Sequence, residues 1–130
     1  MLLTDNFAKW EFESKDGSLM PTRVLENIQE LSKNLQVVRD YLSEKYQTNV
    51  RIKILSGYRS EFHNQKVGGR SRSQHLKGKA SDIHAYGVVS NKELFETIDM
   101  LMREGCIKKG GLSLYSWGVH YDIRGWLARW

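Results

Sequence analysis

The segment SQHLKGKASDIH, Ser73 to His84, places two imidazoles and one carboxylate within twelve residues of a chain that has four histidines in all. His75 and Asp82 stand seven positions apart, with Gly78 and Ala80 between them, small residues that let a loop and a strand turn towards each other. Imidazole nitrogen and carboxylate oxygen both ligate zinc, and a catalytic zinc keeps a fourth position for water beside three protein ligands. The third ligand has to come from elsewhere, and His120 in GVHYD is the candidate. His84 competes with it, because Asp82 and His84 are two apart on a strand and share a face. His63 is a further rival. A histidine beside an aspartate also serves as an ordinary polar pair, and no short helical motif such as H-E-x-x-H fixes this set.

Such residues need elements to hold them. Pro21 is the only proline and sits where a helix could begin. Beyond it Val24, Leu25, Ile28, Leu31, Leu35, Val38, Leu42 and Tyr46 recur at steps of three and four, the stripe of a long amphipathic helix. In NVRIKILSGY, Val50, Ile52 and Ile54 alternate with Arg51 and Lys53, which predicts a half-buried strand ending at Ser56-Gly57. Residues 60–67 predict one or two helical turns capped by Ser60, GGRSRS a basic loop, and KASDIHAY a second strand. Ser90 and Glu93 have capping-box spacing before a helix that runs to Gly105, and LSLYSW and GVHYDIR close the chain as short strands. Helices first and strands clustered late predict an α+β domain, 1–130, with a small antiparallel sheet packed against helices.

Composition narrows the function classes. The 130 residues suffice for one core, at 40% hydrophobic and 27% charged. No run approaches the ~18 apolar residues of a membrane span, so no membrane partner is expected. The start, MLLTDNFAKWEFESKDG, lacks the pattern of a secretory signal, so the chain is expected to be made in the cytoplasm and to reach any outside target after release. Cys106 is the single cysteine, expected as a buried thiol; an internal disulfide and a cysteine-rich zinc site are excluded. The net charge of +5 is concentrated in Lys66, Arg70, Arg72, Lys77 and Lys79, a run that suits solvent, nucleic acid or an anionic polymer such as a cell wall. No nucleic-acid reader motif accompanies it, so no nucleic-acid partner is expected. Nothing sets the oligomeric state; a monomer is the working expectation.

SGYRS (Ser56 to Ser60), Gly68-Gly69, SQHLKGKASDI (Ser73 to Ile83) and VHYD (Val119 to Asp122), in that order, resemble the zinc D-alanyl-D-alanine peptidase family. That family holds D-Ala-D-Ala carboxypeptidases, dipeptidases and L-alanyl-D-glutamate endopeptidases, several of them phage lysins, and its fold is shared by Hedgehog signalling domains. The similarity is greatest to compact carboxypeptidase-like domains and runs from about residue 20 to residue 125. The resemblance implies a Hedgehog/DD-peptidase-like fold, one Zn²⁺ held by His75, Asp82 and His120, and Arg59 facing the scissile region. An arginine in a loop just after a strand is also well placed to donate to an oxyanion or a carboxylate.

One departure stands out. Many relatives place an acid or a histidine a few residues before the last ligand, whereas LSLYSWGV has neither. Asp122, two after His120 on the same strand face, is the nearest carboxylate, expected as the general base for a zinc-polarised water or else as the group that orients a ligand. Tyr58, Trp117 and Tyr121 flank the motifs, as packing or as groove lining. The function implied is hydrolysis of peptidoglycan stem peptides, as a D-Ala-D-Ala carboxypeptidase or an L-Ala-D-Glu-type endopeptidase, with a phage lysin in view. The alternative is a non-catalytic zinc-binding domain of the same fold that binds cell wall or a protein partner.

Overall fold

The computed structural model describes all 130 residues. A 3-10 turn, Lys9–Phe12, opens the chain and buries Phe12 against Phe7. Helix α1, Thr22–Tyr46, follows Pro21 at its N-cap and buries Val24, Ile28, Leu31, Leu35, Val38 and Leu42 of the expected apolar stripe, while Leu25 and Tyr46 are only half-buried. It stops at Gln47, whose φ of 51° is left-handed and cannot continue the helix. Strand β1 is Ile52–Ser56, α2 Glu61–Lys66, β2 Ala80–Ala85, α3 Asn91–Arg103, β3 Gly111–Tyr115, β4 Gly118–Asp122 and β5 Ala128–Arg129. The class is α+β, as the order of elements implied.

The sheet runs β1-β2-β4-β3-β5. Its first four strands pair antiparallel, but β5 pairs parallel with β3, so the sheet is mixed where a purely antiparallel one was expected. The cause lies in the two-residue β5, which reaches the sheet edge after a loop from β4 and not through a hairpin. Side chains alternate between faces along each strand. Ile54, Ile83, Leu112, Val119 and Tyr121 join the helices in one contiguous core, and Asp82, His120 and Asp122 point the other way.

Two local expectations are corrected. Cys106 is exposed, because it lies in the turn after α3 and not on a core-facing stripe. The Ser90 cap forms, with its side chain accepting from the Glu93 N–H, but Glu93 does not close a reciprocal box. Its carboxylate binds Lys45 and the Tyr46 hydroxyl on α1, which fastens the two helices instead.

Candidate metal centre

The register of the sheet builds the first half of the site. Asp82 on β2 lies directly opposite His120 on β4 across an antiparallel pair. Cross-strand neighbours of this kind stand about 5 Å apart at Cβ, close enough to share one ligand. His120 Nδ1 lies 3.1 Å from Asp82 Oδ1.

His75 arrives from a loop. It sits in the 3-10 turn Gln74–Lys77, with Ser73 capping its N–H. Gly78 ends the turn at φ 74°, and a Cβ there would stand 2.6 Å from Val24 Cγ1 on α1. Only glycine both takes the left-handed turn and lets it seat on the helix. The SGYRS segment then grips His75 twice. The Gly57 carbonyl accepts from His75 Nδ1 at 2.7 Å, and the Arg59 N–H donates to the His75 carbonyl at 3.0 Å. His75 Nε2 is left facing Asp82 Oδ2 at 3.4 Å.

One donor atom from each of His75, Asp82 and His120 lies within 4.8 Å of the others. Both imidazoles have their far nitrogen committed: His75 Nδ1 to a carbonyl, His120 Nε2 to Asp122 Oδ2 at 2.8 Å. An acceptor on the far nitrogen holds the ring in orientation and turns the near nitrogen inwards. Two imidazole nitrogens and a carboxylate oxygen converging on one point make a donor set that fits a metal ion.

Charges around the cluster are matched. Burial would raise the Asp82 carboxyl, but hydrogen bonds with His120 and His75 outweigh it and hold it below the usual carboxylate range. Burial likewise works against Asp122, and its bonds to His120, Arg124 and the Gly111 N–H again prevail and keep it ionised. For His120, burial lowers the pKa, while its bonds to Asp122 and Asp82 raise it by more. Arg59 pairs with Asp82 at 3.2 Å, and Arg124 pairs with Asp122 at 2.7 Å.

The three residues named as ligands therefore come together, with Arg59 beside them. Asp122 comes too, but behind His120. It is fully buried, and its oxygens accept from His120, from the Gly111 and Arg124 N–H groups and from the Arg124 guanidinium. His84 turns aside to the Trp117 carbonyl and Asn91, and His63 belongs to α2 outside the cluster. Tyr121 is core, its hydroxyl bound to the Lys108 carbonyl, and Tyr58 is buried as well; Trp117 lines the cleft.

That cleft encloses about 540 Å³ in front of the donors. Three features of the site were missed from the sequence. Arg124 follows His120 and Asp122 at steps of two, and that face alternation could have revealed it. Asn64, buried in α2, accepts from Arg59, and no pattern singled it out. Trp130 lays its indole against the His120 ring at 4.9 Å and over the Arg124 guanidinium at 5.4 Å. Nothing local in ARW announces that contact.

Residues 4–122 match the family described as Peptidase M15. Among solved structures, the chain is similar to the L-Ala D-Glu endopeptidase ChiX of Serratia marcescens, at 22% identity and a TM-score of 0.45, covering 84% of this chain and 92% of that one. A search of the curated proteins finds no match.

Proposed function

The chain belongs to the Peptidase M15 family, and from that premise we propose that it is a zinc-dependent peptidase that hydrolyses the stem peptides of peptidoglycan. The observation that carries this reading is the inward convergence of His75 Nε2, Asp82 and His120 Nδ1, with the far nitrogen of each imidazole held by a partner and Asp82 paired with Arg59. These three would hold the zinc. A zinc ion in such a site polarises a scissile carbonyl and makes water a nucleophile near neutral pH.

The rest of the work falls to the protein. Arg59, anchored by Ser56, Asn64 and Asp82, borders the cleft and is placed to donate to a developing oxyanion. Asp122 has no oxygen turned to the cleft, so its role here is to hold His120 in orientation through Nε2. Tyr115 and Trp117, stacked at 4.7 Å, and Trp130 wall the cleft on the side of β3 and β4. Of the residues that line it, only Asp82 is acidic. Glycan hydrolysis needs two carboxylates facing each other across the bond, which this cleft lacks, whereas amide hydrolysis does not.

That same shortage of a free carboxylate favours one second reading, a zinc-binding domain of this fold that binds cell wall or a protein partner without cutting. Digestion of purified peptidoglycan by the zinc-loaded protein, with fragments identified by mass, decides between them. Free alanine or shortened stems would mark a carboxypeptidase; new amino termini without free alanine would mark an endopeptidase. An unaltered wall would leave the binding domain.

A further inference from the structure

We propose that Arg70 and Arg72 form a carboxylate-binding subsite on the rim of the cleft, which selects peptides carrying a free carboxylate near the bond that is cut. The proposal rests on the peptidase reading for its substrate class, and on three observations for its position.

The first is pairing. Four guanidinium groups border the cleft: Arg59, Arg70, Arg72 and Arg124. Arg59 and Arg124 are committed to Asp82 and Asp122. Arg70 and Arg72 are exposed and have no acidic partner, and the lone acid in the lining already serves the metal ligands and Arg59. A bound cation would add to this positive excess. The ligand that complements the rim is therefore an anion.

The second is a fixed backbone. Arg70 lies in the loop between α2 and the His75 turn, but it is not loosely held. Buried Asn64 donates through Nδ2 to the Arg70 carbonyl at 2.9 Å, and the Ser73 N–H donates to the same carbonyl at 3.0 Å. Gly69 makes this grip possible, since a Cβ there would stand 2.0 Å from Asn64 Oδ1. That Oδ1 also accepts from Arg59, whose guanidinium reaches Asp82. The rim and Asp82 are thus two ends of one hydrogen-bonded chain, which sets the Arg70 backbone at a fixed place relative to the converging donors. The turn from Arg70 to Ser73 carries Arg72 on the same rim.

The third is contrast. The opposite wall holds Tyr115, Trp117 and Trp130, and its one charged group, Arg124, is neutralised by Asp122. An extended peptide lying between the two walls meets apolar surface on one side and two unpaired forks on the other. A guanidinium fork matches a carboxylate with two parallel hydrogen bonds, so the acidic group of the peptide is oriented as well as attracted.

The test uses two stem peptides of one sequence, one with free carboxylates and one with those carboxylates amidated. Binding of each to the zinc-loaded protein is measured by calorimetry, and cleavage is followed in the same samples. The free-acid peptide is expected to bind the wild type about tenfold or more tightly than the amide, as for hydrogen bonds to a charged group. Arg70→Gln/Arg72→Gln should abolish that preference. Arg70→Lys/Arg72→Lys should restore only part of it. Lys66→Gln/Lys77→Gln removes equal charge outside the cleft and should leave it intact. Equal binding of both peptides by the wild type, no binding of either, or a preference that survives the arginine double variant would overturn the subsite. So would a preference lost equally in the Lys66→Gln/Lys77→Gln variant, which would assign it to overall charge. Peptides that bind with the expected preference but stay uncut would refute the peptidase reading and keep the subsite.

Discussion

Asp122 lies beneath His120 with every oxygen engaged: Oδ2 by His120 and Arg124, Oδ1 by Gly111 and Arg124. A carboxylate so occupied is placed to orient its neighbour, and on the proposed reading it does not collect protons from the cleft. Asp122→Asn is therefore expected to weaken zinc binding by about 10- to 100-fold. Turnover at saturating zinc should fall by less than the ~10²- to 10⁴-fold of a lost general base. A chelator competition titration, read beside activity in excess zinc, separates the two; a full catalytic loss with unchanged zinc affinity would make Asp122 the base. Arg59→Lys should recover little of the activity lost in Arg59→Ala, because one ammonium cannot serve Ser56, Asn64 and Asp82 together. The kcat of the two variants on a stem peptide checks this. At this scale the three side chains that converge, His75, Asp82 and His120, were legible in the sequence. The placement of Asp122 behind His120 was not, because a shared strand face says that two side chains are neighbours and leaves open which side of the imidazole the carboxylate occupies.

The elements were legible where one periodicity ruled them. The stripe of α1 and the alternation of β1 are direct consequences of burying one face. The Asp82–His120 register was not, because it depends on which residues pair across β2 and β4, and no turn between them fixes it. The parallel docking of β5 was also hidden, since two residues carry too little pattern. The turn that presents His75 depends on Gly78, so Gly78→Ala should cost about 1 to 3 kcal/mol from the left-handed φ alone, with more from the contact on Val24. Denaturant unfolding should show a lower midpoint with an unchanged slope. A midpoint equal to wild type would mean that the turn relaxes without holding to α1.

At the scale of the molecule, a helical layer and a core lie on one face of the sheet and the donors lie on the other, so a metal held as proposed would tie β2, β4 and the His75 loop together. Zinc at 100 times its dissociation constant should add about 2.7 kcal/mol of stability. That is roughly 10 °C in Tm for a chain of this size, lost on chelation, and thermal unfolding with and without chelator reads it. The most direct test of the account is a zinc titration of the chelated protein, with release of new amino groups from purified peptidoglycan as the signal. Activity should rise from none and level off at about one equivalent, as expected for three protein ligands and one metal. His75→Ala should stay flat over the same range. Amino-group release that ignores zinc, or a wall left uncut by protein carrying its full equivalent, would contradict it.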